Sequence, residues 1–214
     1  MLFSSVFLPI FTEISGERLD RGFKKTIKYA LAIAIPATIG LMFIITPAIR
    51  IIYGAEYSPF GYYLPLLITS ILLSLLIMES VFSGMYGSLF MAKERVKWPA
   101  IVFIIFIVIH IILSIIFIQL LLPRGHEWAL VAIAASTVIL RYVNLGILGI
   151  LAKKQMNIAP NLKDIIKPIF ASLIMLGFLL AYEYLINPGL WLSMLMIFLA
   201  AIVYFLALYW MRKI

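Results

Sequence analysis

Six stretches of this chain are long and apolar enough to cross a bilayer, at roughly 28–50, 62–90, 98–122, 128–151, 167–186 and 190–211. A helix needs ~20 residues to traverse a hydrocarbon core of ~30 Å. In lipid each backbone N–H and C=O must be satisfied within the segment, which runs of this length achieve as helices rather than as exposed strands. The breaks between them carry turn chemistry: "YGAEYSPFG" at 53–61, "PRGHE" at 123–127 and "NPG" at 187–189. The chain is 65% hydrophobic and 12% charged, against ~45–50% and ~25% in an ordinary soluble domain. The expected fold is all-α: a polytopic membrane bundle of six transmembrane helices.

Basic residues set the expected orientation. Arg18, Arg21, Lys24, Lys25 and Lys28 precede the first span. Lys93, Arg95 and Lys97 lie between the second and third, and Lys153, Lys154, Lys163 and Lys167 between the fourth and fifth. Arg212 and Lys213 follow the sixth. The opposite loops hold only Arg50 and Arg124. The positive-inside rule places the crowded side, and with it both termini, in the cytoplasm. The net charge of +8 is then a topology signal with a secondary pull toward anionic membrane lipids, and nucleic acid is not the expected partner.

The chain divides into three parts. Residues 1–27 comprise a short apolar run, Leu2 to Phe11, and an amphipathic connector. Residues 28–151 hold four spans, and 152–214 form a two-helix extension. Within 16–29, Leu19, Phe23 and Ile27 recur four apart and share one helical face. Glu17–Arg21 and Asp20–Lys24 are acid-then-base pairs with i, i+4 spacing. This segment reads as a helix along the cytoplasmic surface that leads into the first span, with a gating elbow as the alternative.

Ionisable groups inside spans are costly and mark candidate pathways. Glu79, His110 and Arg141 lie on three successive spans, each roughly 15–18 Å from the inner end at a rise of 1.5 Å per residue. Asn144 is one turn from Arg141. Two readings stand side by side. Glu79 and Arg141 form a neutralising pair that ties helices together, with His110 satisfied by a backbone carbonyl. Alternatively the group lines a hydrophilic cavity in which Arg141 draws an anion and Glu79 or His110 handles a proton. Glu183 sits near the outer end of the fifth span, within reach of water.

Small residues at Ser80, Gly84 and Ser88, and at Ala132, Ala135 and Ser136, mark faces for close helix approach. Pro36, Pro47 and Pro65 are expected to kink their spans. No cysteine is present, the only histidines are His110 and His126, and the acidic residues do not cluster. HExxH, GxxxxGK[ST] and GxSxG are all missing from the sequence. No catalytic activity, cofactor or metal site is expected.

The order of several stretches carries a resemblance. "LPIFTEISGERLDRGFKKTIKYALAIAIPATIGLMFI" (8–44), "IIYGAEYSPFGYYLPLLITSILLS" (51–74), "GSLFMAKERVKWP" (87–99) and "IIFIQLLLPRGHEWALVAIAASTV" (115–138) resemble, in sequence order, segments of the multidrug/oligosaccharidyl-lipid/polysaccharide flippases. The likeness is to the polysaccharide-biosynthesis, O-antigen flippase-like branch. It covers 2–150 by motif and 151–214 by position. Such proteins are built of two six-helix lobes, often with two added C-terminal helices. The resemblance implies that residues 2–11 match the cytoplasmic end of an eighth helix and that the six spans match helices nine to fourteen of a longer parent. The chain departs from the pattern at His110 and Ser114, where relatives tend to carry asparagines, and at "HEWAL", where a glycine is usual.

The function implied is polysaccharide export across the cytoplasmic membrane. The substrate would be a polyprenyl-phosphate-linked glycan, and a separate N-terminal flippase half a partner. A non-transporting fragment or subunit is the alternative, and a multidrug exporter a third. Arg141, Glu79, His110 and Asn144 are candidates from their own placement, not from the resemblance.

Overall fold

The computed structural model describes residues 2–53, 63–160, 162–186 and 190–213. Most of the 53–61 turn, the 187–189 turn and the side chain of Glu183 lie outside the described residues. The described secondary structure is helical: α1 (Leu2–Glu13), α2 (Gly16–Tyr53), α3 (Tyr63–Ser74), α4 (Leu76–Ala92), α5 (Lys97–Leu121), α6 (His126–Met156), α7 (Leu162–Ile186) and α8 (Leu190–Lys213). A single tight turn, Leu122–Arg124, links α5 to α6. Gly125 follows with φ +121°, a backbone angle that glycine adopts without penalty.

Four described stretches are long and apolar enough to cross a membrane: Gly16–Ile45, Leu64–Ala92, Lys97–Leu121 and His126–Met156. The described apolar stretches of α7 and α8, Ile166–Tyr182 and Leu195–Met211, are shorter. The helices pack in sequence across the bundle. α5 lies on α6, α6 on α3 and α4, those two on α2, and α2 on α7 and α8. The short α1 packs mainly on α4.

The connector does not form a separate surface helix. Residues 16–29 are the first turns of α2, which runs unbroken for 38 residues, about 57 Å. The i, i+4 face continues through it: Leu19, Phe23, Ile27, Leu31, Ala34 and Ile35 are all buried. That face meets protein rather than lipid headgroups. Phe23 stands between Phe11 of α1 and Tyr86 of α4, with ring centroids 5.8 and 5.3 Å away. The lead-in is therefore part of the largest core cluster, together with Met85, Leu89, Phe90 and Ala152.

The expected kinks and small-residue faces are redistributed. Pro36 interrupts nothing that ends α2, and Pro65 sits in the first turn of α3, where a missing N–H costs little. The second span breaks instead at Leu75, between α3 and α4. There the Leu75 N–H turns back to Leu72 O at 3.1 Å, and the Glu79 N–H reaches Leu75 O only at 3.5 Å. Ser74 bonds the carbonyls of Ser70 and Ile71 with its hydroxyl. Of the small residues, Ser88 and Ser136 are buried, whereas Ser80 is exposed. The buried face of α4 is Val81, Met85, Ser88 and Leu89.

Three basic side chains share a task at helix C-termini. Lys93 donates to Ile14 O just past α1, Arg95 to Gln155 O at the end of α6, and Lys167 to Met211 O at the end of α8, each at 2.7 Å. The last carbonyls of a helix lack intrahelical partners and carry the negative end of its dipole. Part of the positive charge on this side therefore closes helices. Asn157, in the left-handed region at φ 55°, ends α6 by the usual geometry, with its N–H on Lys153 O and that of Ile158 on Ala152 O.

Candidate functional site

The break at Leu75 lies one turn before Glu79 on α4. Tyr142 of α6 donates its hydroxyl to Leu75 O at 2.9 Å. This strong bond compensates the carbonyl whose bond within the helix is stretched, and it ties α6 to the break. Arg141, the preceding residue, then meets α4 at Glu79. Its Nη1 lies 3.4 Å from Glu79 Oε2.

The two partners differ in exposure. The Glu79 side chain is 1% exposed, whereas that of Arg141 is 50% exposed. Ser83, one turn along α4, donates its hydroxyl to Glu79 Oε1. Both carboxylate oxygens are thus engaged, one by a hydroxyl and one by a cation. Arg141 makes a single long contact, beyond the ~2.7–2.9 Å of a strong charge-assisted bond. Its other guanidinium donors have no partner among the described residues.

His110 faces α6 from α5. Its Nε2 lies 2.7 Å from Thr137 Oγ1, and the Thr137 hydroxyl donates to Ile133 O, also at 2.7 Å. The histidine is satisfied by a side chain, not by the expected backbone carbonyl. Asn144 sits on α6 near Arg141, with its Oδ1 buried and unpaired. The hydroxyl of Ser114, one turn beyond His110 on α5, is likewise buried and unpaired.

Glu79, His110, Arg141 and Asn144 all line one cavity of about 590 Å³ between α4, α5 and α6, with Phe103 and Phe106 among its apolar walls. The four sequence candidates, which span three helices, therefore share a site. Ser83, Thr137 and Tyr142 join them; being uncharged, they do not stand out within an apolar span. Two of them carried a signal. Ser83 is one turn from Glu79, and Thr137 one turn from Arg141. Tyr142 had none, because its partner is a backbone carbonyl at a break that the sequence does not announce.

Chemically, the site offers a half-open cation above a covered carboxylate, an imidazole and an amide, within otherwise apolar walls. Among the described residues no three His, Asp and Glu side chains gather as a metal site would require. No family model and no curated protein matches the chain.

Proposed function

We propose that this chain is a multi-pass protein of the cytoplasmic membrane, with six spans and both termini inside, that forms the C-terminal part of a flippase for lipid-linked oligosaccharide. The observation that carries the reading is the mid-span cavity, in which Arg141 is the exposed charge and Glu79 the covered one. A polyprenyl-phosphate-linked glycan presents an anion that needs a cation in low dielectric, and Arg141 answers that need. The order of the resembling segments from residue 8 to residue 138 supports the same family. Repeat-built transporters place substrate between two lobes near mid-membrane, so the reading includes a separate N-terminal lobe as partner.

A multidrug exporter for cationic compounds would favour an acidic, accessible cavity. The burial of Glu79 beneath Ser83 and Arg141 argues against it. The reading of a subunit that does not transport alone draws on α5, none of whose residues is buried by the described chain.

Leaflet transfer tests the proposal. Proteoliposomes are loaded with a fluorescent sugar on a short polyprenyl diphosphate, and the fraction open to an external quencher is followed over time. The expected result is transfer faster than in empty vesicles, in the chain alone or with a co-expressed N-terminal lobe, and its loss in Arg141→Leu. Transfer no faster than in empty vesicles under both conditions would refute the flippase reading.

A further inference from the structure

The cavity holds two groups able to exchange a proton, Glu79 and His110, and their hydrogen bonds treat them differently. Glu79 is enclosed, with one oxygen on Ser83 and the other on Arg141. A proton arriving there would remove the charge that pairs with Arg141. His110 is not so constrained. Thr137 Oγ1 lies 2.7 Å from both Ile133 O and His110 Nε2, and its hydroxyl has one proton to give. With that proton given to Ile133 O, the oxygen accepts from His110, which corresponds to the neutral tautomer with its proton on Nε2. The Nδ1 lone pair has no partner among the described residues. A proton from solvent adds to that lone pair, one N–H bond forms, and no existing hydrogen bond breaks.

The charged groups facing His110 are Arg141 from α6, the helix on which α5 packs, and Glu79 from α4 across the cavity; the other described side chains lining the cavity are uncharged. Glu79 and Arg141 offset each other. The net charge of the site then rests on whether the imidazole holds one proton or two. We infer that His110 is the proton-responsive element of this cavity, and that protonation at Nδ1, with Nε2–H held by Thr137, turns a neutral site into a cationic one with raised affinity for a phosphate anion. The anion half of this inference rests on the flippase reading; the tautomer half does not.

The test uses the full chain in lipid nanodiscs and a dialkyl phosphate diester, a probe whose own charge stays constant over the range. Binding is measured at about pH 5.5 and about pH 8. The expected result is an affinity on the order of tenfold higher at the lower pH, as one added unit charge beside an anion provides. His110→Gln should level the two affinities, and Glu79→Gln should not. A wild-type pH dependence that survives in His110→Gln overturns the inference. Imidazole 15N shifts of His110 in the unaltered chain decide the tautomer without any ligand. Nε2–H above the transition and a doubly protonated ring below it are expected; Nδ1–H, or a ring whose state is the same at both pH values, overturns it. If the shifts behave as expected but the diester binds at neither pH, the anion-site reading fails while the protonation of His110 stands.

Discussion

α4 and α5 are neighbours in sequence with opposite fates in the fold. The stretch Lys97–Leu121 is the most apolar of the four candidate spans, with mean hydropathy 3.4, and none of it is buried. Leu64–Ala92 is less apolar, at 2.1, yet its α4 part buries Glu79 and Ser88 beside Met85 and Leu89. In water the order would be reversed. In lipid, apolar side chains gain nothing by leaving the solvent, so close packing and polar partners decide what goes inside. α4 has both; α5 meets α6 along one face, where His110 finds Thr137, and leaves the rest of its surface uncovered. The candidate site lies where these two regimes meet.

The comparison can be strained from either side. The largest expected effect is at the ion pair. Arg141→Leu leaves a covered carboxylate without its cation; because Arg141 is half exposed and the contact long, the ~3–5 kcal/mol of a fully buried pair falls to about 2–3 kcal/mol. Adding Glu79→Gln should recover much of that, read as a coupling in a double-mutant cycle of unfolding in mild detergent. Additive losses would mean that the pair does not hold α4 to α6.

Next comes packing. Leu89→Ala on α4 should cost about 2 kcal/mol, since contacts are lost but little transfer from water is involved. Ile104→Ala on α5, 60% exposed, should change stability by less than about 0.5 kcal/mol. Equal costs in the same unfolding assay would erase the distinction between the two helices.

Smaller still is the capping role of the basic residues. Lys93→Met removes the donor to Ile14 O and should cost about 1 kcal/mol. Lys25→Met, on an exposed position, should cost less than half of that. The smallest pair lies on α6. A Cβ at Gly146 meets nothing within 4 Å, whereas one at Gly149 meets the Tyr86 hydroxyl at 3.3 Å. Gly146→Ala should therefore gain about 0.5–1 kcal/mol of helix stability, and Gly149→Ala should gain less or lose. Thermal unfolding of the two variants side by side would reveal a reversed order.

Much of this fold was legible because it depends on residue spacing alone. The face Leu19, Phe23, Ile27 follows from a step of four residues, and it is buried as that step predicts. What covers the face was not legible, since nothing in residues 16–29 distinguishes headgroups from α1 and α4. Depth along a helix is likewise arithmetic, and it put Glu79, His110 and Arg141 at one level. Rotation about each helix axis is not, and only the structure brings Arg141 to within 3.4 Å of Glu79. The break at Leu75 had no local sign. Proline and glycine are the usual markers, and the break is held instead by Tyr142, a residue 67 positions away. The helix-closing role of Lys93, Arg95 and Lys167 was not legible, because a donor to a distant helix end leaves no trace in local sequence.

The chain has no cysteine, so single cysteines can show whether water reaches the cavity that Arg141 and Glu79 line between α4, α5 and α6. A single cysteine placed at Gly87 lines that cavity in an open position, and one placed at Ile104 projects from the uncovered part of α5. Both variants are treated in membranes with a water-soluble thiol reagent that does not cross lipid. Gly87→Cys is expected to react and Ile104→Cys is not. A Gly87→Cys variant as inert as Ile104→Cys would contradict it.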